Sequence, residues 1–298
     1  MEFKLKTLTP IWTGNAGGKC DRLHETGIIG SIRWWYEALI RGLGGYACDP
    51  RSKNENERCK FNTKSYQQNK NLSAELQNIC LACQMFGCTG WSKKIRWIID
   101  DSSTTSNGIK GKNGEFVLHG TEMKTLTDIE KWLLYSVFYI IDRYGTIGGK
   151  CMLKPSTNRE RGHHCDDRGK ISVTEYGLSK TNKPSNLTGF LSEQKNKIEK
   201  ERGKMPAEWP NLKRFFFSPA ESLNASNYMD LVGLYSDFLK GNHRSTPARA
   251  NKFASFKSGK YFWGYTKDDD AMFDDVKQKL ASLKLKKITK GQEVLDAL

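Results

Sequence analysis

Five of the chain's eight cysteines crowd into one stretch: Cys48, Cys59, Cys80, Cys83 and Cys88. Cys80-Leu81-Ala82-Cys83 is a CxxC, a spacing that lets two thiolates grip one tetrahedral ion across a tight turn. Cys48 and Cys59 would complete a four-cysteine zinc site, with Cys88 as a rival fourth ligand. Such a site is structural, because four thiolates leave no open position for a substrate. The plainer alternative is five free thiols in a loose insert. A long, weakly apolar stretch that needs a staple favours zinc. A redox CxxC would follow a thioredoxin-like strand, and none precedes this one. His163-His164-Cys165-Asp166-Asp167 also carries ligand types, but adjacent residues rarely chelate one ion, so solvated loop residues are the better reading.

The second chemistry is polyanion binding. Lys and Arg number 48 against 33 Asp and Glu, a formal charge of +15. That excess points to nucleic acid before a membrane surface. RNA needs cations for its phosphates and flat groups for its bases. Arg33, Arg41 and Trp34 supply both on one predicted helix, with Ser31 at its expected N-cap offering backbone N–H groups. Trp91 with Lys93 and Lys94 is a further base platform with charge. Gly148, Gly149 and Lys150 form a glycine loop able to approach a phosphate chain closely. Lys19, Arg22 and His24 follow Gly17 and Gly18 in an early loop. A last basic–aromatic group holds Arg244, Arg249, Lys252, Lys257 and Lys260 with Phe256, Tyr261 and Trp263. Each has a bland counterpart: both Trp34 and Trp35 in the core, Arg33-Glu37-Arg41 as an ion-pair ladder, and the glycine loop as an ordinary helix cap.

Catalysis has weaker support. His24 could act as general base of a metal-independent nuclease, with Lys19 or Arg22 stabilising the transition state. A His among cations is more often an RNA contact. Asp100-Asp101 reads as a strand end running into a turn, and Asp268-Asp269-Asp270 as acids opening a helix. No Walker loop or Rossmann fingerprint occurs.

The elements that must position these groups alternate between strands and helices. Phe3 to Thr9 alternates apolar and polar as a strand does. Ile32, Trp35, Ala38 and Leu39 share a helical face closed by Gly42, Gly44 and Gly45. Strands follow at 95–99 and 115–119, then a helix over about 127–142. Residues 150–204 are basic with few large apolar side chains, so a mobile basic lobe is expected. Beyond Pro210, a strand at 213–217, a helix at 227–239 and a helix at 270–283 are expected. With 37% hydrophobic and 11% aromatic residues the chain supports a real core. Absence of a long apolar run or a secretory leader predicts a cytoplasmic protein with reduced cysteines.

Several segments together resemble the RAMP superfamily of CRISPR proteins. They are Thr7-Leu8-Thr9-Pro10, Ile28-Ile29-Gly30-Ser31-Ile32-Arg33-Trp34-Trp35-Tyr36-Glu37-Ala38-Leu39, Gly44 to Pro50, Cys80 to Trp91 and Tyr144 to Lys150. The narrower resemblance is to the first RAMP subunit of the type III-B (Cmr) effector complex. The order of strands and helices suggests an α+β, ferredoxin-like or RRM-like fold, with the zinc-binding insert at 48–91 and the basic lobe at 150–204 inside a domain of residues 1–204, and the resemblance likewise implies an RRM-like subunit. A second, shorter and degenerate α+β lobe is expected over 205–298. The implied function is a non-catalytic subunit of an RNA-guided antiviral ribonucleoprotein. It would bind CRISPR RNA towards its 3′ end and single-stranded target RNA beside other RAMP subunits, target cleavage being assigned to a different subunit. The rivals are a RAMP-family endoribonuclease using His24 or an Asp, and a zinc-stapled RNA-binding module outside CRISPR biology.

Overall fold

The computed structural model describes residues 1–15, 17–20, 22–100, 114–151, 167–241, 250–256, 260–285 and 287–298. The chain opens with β1 (Glu2–Thr7) and α1 (Glu25–Gly42). Three short helices of the cysteine insert follow: α2 (Thr63–Asn69), α3 (Leu72–Gln77) and α4 (Leu81–Phe86). Then come β2 (Ile95–Asp100), β3 (Glu115–Glu122), α5 (Asp128–Arg143), β4 (Ile171–Glu175) and α6 (Leu187–Arg202). The last third contributes β5 (Phe215–Ser218), α7 (Ala225–Gly233), α8 (Ser236–Leu239), β6 (Phe253–Ser255), β7 (Phe262–Tyr265), α9 (Asp270–Ser282), β8 (Thr289–Lys290) and α10 (Gly291–Asp296).

Two antiparallel four-stranded sheets result, ordered β2-β3-β1-β4 and β6-β7-β5-β8. Set aside the insert and each half reads strand, helix, two strands, helix, strand, with its first strand paired to its third and fourth. That is the ferredoxin-like βαββαβ arrangement, made twice. The second sheet keeps the complete strand order in strands of only two to four residues.

The first sheet is built by alternation. Phe3, Leu5 and Thr7 of β1 face inwards, and Lys4 sits on the open face paired with Glu175. Phe3 stacks on Phe138 of α5, with centroids 3.7 Å apart. α5 begins with a capping box: Thr127 Oγ1 accepts from the Glu130 backbone N–H, and the Glu130 side chain accepts from that of Thr127.

α1 joins the halves. Its Trp35 lies against α5 and the 145–150 loop on one side, where Nε1 donates to Thr146 O at 2.9 Å. On the other side it meets Phe215, Phe217 and Trp263 of the second sheet. Gly42 lets Leu212 approach so closely that a Cβ there would lie 2.8 Å from its Cβ.

α1 begins at Glu25, well before Ser31. Gly27 and Gly30 lie inside the helix, and their type made the first turn look like loop. Gly27 is used for contact, since a Cβ would lie 2.9 Å from Thr13 Cγ2. The free N–H groups expected at Gly30 and Ser31 are therefore helical interior. Ser31 instead bonds through its hydroxyl, donating to Gly27 O and accepting from the Gly148 N–H at 2.9 Å.

Within the described part of the basic lobe, residues 167–204 form a strand and a helix that the sequence did not lead one to expect. β4 completes the first sheet and α6 packs Leu187, Leu191 and Ile198 inwards. Its composition hid them because β4 has five residues and α6 is mostly polar. Asp269 is the N-cap of α9, accepting from Met272 N at 2.8 Å, while Asp268 and Asp270 pair with Arg214. Asp101, the His163–Asp166 segment, Arg244, Arg249 and Lys257 lie outside the described residues. Among the described residues no helix is long and apolar enough to cross a membrane.

Candidate functional site

The insert gathers four sulfurs. Cys48, Cys59, Cys80 and Cys83 are buried, and their Sγ atoms lie within 4.8 Å of one another. Cys80 caps α4 and Cys83 lies in its first turn, so the CxxC is presented by a helix start. Cys48 follows the turn that ends α1, and Cys59 follows a short 3-10 turn at Glu55–Glu57. Cys88 lies outside the group, half-buried in the turn that pairs it with Trp91. Tetrahedral Zn–S bonds of about 2.3 Å place sulfurs about 3.8 Å apart. Cys48 Sγ lies 3.3 Å from Cys83 Sγ and 3.9 Å from Cys80 Sγ. The four residues thus fit a metal ion in both number and spacing.

The electrostatics agree. Burial opposes ionisation of Cys80, yet hydrogen bonds from the sulfurs of Cys48, Cys59 and Cys83 hold its thiol well below the ordinary value. The hydrogen bond to Cys48 drives Cys83 in the opposite direction. Four thiols sharing one dry space cannot all ionise without a cation.

Arg33 and Arg41 serve this insert. Arg33 donates from Nε to Glu37 Oε1 at 2.8 Å, from Nη1 to Gly87 O at 3.0 Å and from Nη2 to Cys83 Sγ at 3.2 Å. Burial would discharge it, but the Cys83 sulfur and the Glu37 carboxylate outweigh that and hold its pKa above the ordinary value. Arg41 is only 4% exposed. It donates to Ala47 O, Cys48 O and Pro210 O, tying α1 to the insert and to the second half. Its guanidinium is turned inwards and is not presented to a phosphate. Glu37 lies between them: burial raises its carboxyl to about 7 against the pull of both arginines.

A second feature is a cleft of about 620 Å³ where α1, the 145–151 loop and the second sheet converge. Of the sequence-predicted residues, Ser31, Arg33, Trp34, Gly148 and Gly149 line it. Trp34 is half-buried, perpendicular to Trp35 at 4.9 Å and 5.7 Å from Trp263. Lys150 adjoins the cleft with Nζ 4.2 Å above the Trp12 ring. The glycine loop is laced to the segment before α1: Gly149 N donates to Trp12 O at 2.7 Å. At Gly148 (φ +85°) a Cβ would come within 2.7 Å of the same oxygen. These glycines therefore serve close chain packing. Lys170 fixes the loop from behind, donating to Asp142 O at 2.7 Å, and burial lowers its pKa to about 8.

Other predicted residues stand elsewhere. Lys19 is exposed in a turn closed by Asn15, whose Oδ1 accepts from Gly17 N and Lys19 N. Arg22 pairs with Glu25 at 3.1 Å, and the His24 N–H donates to Thr13 Oγ1. Trp91 donates to Gln84 O, packs on Phe61 and carries Lys124 on its face at 4.0 Å. Lys93 is exposed. Lys94 is buried, 2.8 Å from Glu130, so it is an internal ion pair and not a phosphate contact. Its place directly before the β2 apolar run was the available signal.

Trp12 and Arg51 also line the cleft, and neither was anticipated. Trp12 stands beside the Thr7–Pro10 motif and Arg51 three residues after Cys48, so the motifs bracketed both. Lys252 and Trp263, from the last basic–aromatic group, complete the wall. A larger groove of about 970 Å³ runs between α3, α6 and the start of α5, but its Lys94 and Lys197 are paired with Glu130 and Glu193.

The RAMP superfamily model matches residues 4–286. The chain belongs to the RAMP superfamily. This RAMP protein is similar to the solved apo structure of Cmr1 from Pyrococcus furiosus, with 11% sequence identity over 97% of this chain and 98% of that one, at a TM-score of 0.45. No curated protein matches its sequence.

Proposed function

We propose that this RAMP protein is a non-catalytic RNA-binding subunit of a type III CRISPR ribonucleoprotein. It contacts CRISPR RNA towards its 3′ end and single-stranded target RNA, beside other RAMP subunits, in the cytoplasm. The type III-B assignment rests on the motif resemblance. The observation that carries the RNA reading is the cleft, where a glycine-bearing loop, tryptophans and cations from separate parts of a +15 chain meet. Phosphate contacts of this sort position an RNA without reading its sequence, which is left to pairing between guide and target.

We assign zinc to Cys48, Cys59, Cys80 and Cys83. A bound zinc ion would supply the positive charge that lets all four thiols ionise, and it would hold the insert together. The chain's own part is to keep the sulfurs dry and to neutralise the excess negative charge with Arg33.

The test is purification from the native host under mild conditions, with metal analysis and sequencing of bound RNA. One zinc per chain and RNAs sharing a constant tag are expected. Metal-free protein would refute the zinc assignment. RNA without a shared tag would move the chain to the RNA-binding module outside CRISPR biology.

A further inference from the structure

We propose that the 620 Å³ cleft is a base-insertion site, in which one unstacked base of a single-stranded RNA packs on Trp34 while its flanking phosphates follow Arg51, Lys252 and Lys150. The proposal rests on the RNA-binding reading above and names the part of the RNA that the cleft takes.

Three observations carry it. The first is composition. Trp12, Trp34, Trp263 and Tyr265 all line one cleft, whose volume falls within the range of about 300–1,000 Å³ that holds small planar ligands. Trp34 is half-buried and packs perpendicular to Trp35, so its ring is held in place. A base within a duplex is stacked on both sides and cannot offer its face, whereas a single-stranded base can.

The second is an unmet donor. Trp263 is 2% exposed, and its Nε1–H has no hydrogen-bond partner among the described residues. A buried N–H without an acceptor costs roughly a lost hydrogen bond, so it is expected to have one in the working state. Every nucleobase carries carbonyl or ring-nitrogen acceptors on its edge, the kind of partner this N–H lacks.

The third is the placement of charge. Arg51 is 79% exposed at the cleft wall and held by Asp49 at 3.4 Å. Lys252 comes from the second half, with Nζ 5.6 Å above the Tyr265 ring. Lys150 stands over Trp12. Cations on several sides of an aromatic floor match a base flanked by two phosphates. By contrast, the open face of the first sheet carries Lys4, His119, Glu2 and Glu175 in mutual pairs.

The experiment uses the full chain and a short single-stranded RNA in which a single abasic position is moved along the strand. Stacking on an aromatic side chain contributes about 1–3 kcal/mol per base, and 1.4 kcal/mol is tenfold. Wild type should lose about tenfold in affinity when the gap falls at the inserted base and little elsewhere. Trp34→Leu should weaken binding to intact RNA by about tenfold and erase the position dependence. Trp263→Phe keeps the ring and removes the N–H, so it should weaken intact RNA by a few-fold and leave the position dependence in place. If Trp34→Leu does not fold, the abasic scan on wild type and on Trp263→Phe still decides. Wild type that binds RNA with no position dependence overturns the base site and leaves the RNA-binding reading standing. Wild type that binds no RNA overturns both.

Discussion

The two halves share one topology and hold it by different means. The first sheet has strands of five to eight residues, whose alternation buries Phe3, Leu5, Trp97 and Phe116 over α1 and α5. The second has strands of two to four residues; β5, β6 and β7 are buried throughout while β8 is half-buried, and the bulk of the sheet is aromatic: Phe215, Phe216, Phe217, Phe253, Phe262, Trp263 and Tyr265. Short strands offer few ladder bonds, so large rings must bring the apolar area. The first half can therefore carry insertions between its elements, and it carries the cysteines and the glycine loop. The second half supplies one wall of the cleft. A repeated fold can thus divide its work, with one copy bearing the inserted parts and the other closing the site.

The largest effect should come from breaking what only the first half has. Structural zinc sites in small domains contribute on the order of 10 kcal/mol. Removing the metal with a chelator, or Cys80→Ser, should abolish metal binding and raise hydrogen exchange across residues 48–91. The β5–β7 pairing should stay protected. Equal loss in both halves would break the proposed division.

Phe216→Ala tests the converse. The ring stacks on Phe273 at 4.7 Å and is 1% exposed, so the loss should be about 3–5 kcal/mol in denaturant unfolding. Metal content should equal that of wild type.

Arg41 joins the halves, and its removal sharpens the comparison. Arg41→Ala leaves the carbonyls of Ala47, Cys48 and Pro210 without their buried donor and Glu37 with Arg33 alone. A destabilisation of about 3–5 kcal/mol is expected, with both halves loosened together in hydrogen exchange.

The smallest effect is local to the first half. Thr127→Ala removes the capping box of α5 and should cost about 1 kcal/mol in thermal or denaturant unfolding, with RNA affinity unchanged.

Much of this was legible in the sequence where local physics decides. The periodicity of Ile129, Trp132, Leu133 and Val137 marks α5, and the CxxC with Cys48 and Cys59 marks the thiol cluster. What stayed hidden depends on tertiary contacts. Gly27 and Gly30 look like breakers, and only the approach of Thr13 and the Ser31–Gly148 bond show why they are helical. Arg33, Arg41 and Lys94 look like free cations because composition does not reveal buried acceptors: the Cys83 sulfur, the Pro210 carbonyl and the Glu130 carboxylate. Trp12 and Arg51 have no motif of their own and enter the cleft only because the glycine loop and the insert bring them there.

The central claim is electrostatic RNA binding without chemistry. Its most direct test is affinity of the purified, zinc-loaded protein for single-stranded RNA across a salt series, with the RNA examined for cleavage with and without EDTA. Each phosphate contact adds about −0.7 to the slope of log affinity against log salt for single strands. A steep negative slope, a shallower one for Arg51→Glu, and intact RNA throughout are expected. A flat slope, or RNA cut by wild type and spared by His24→Ala, would contradict the claim.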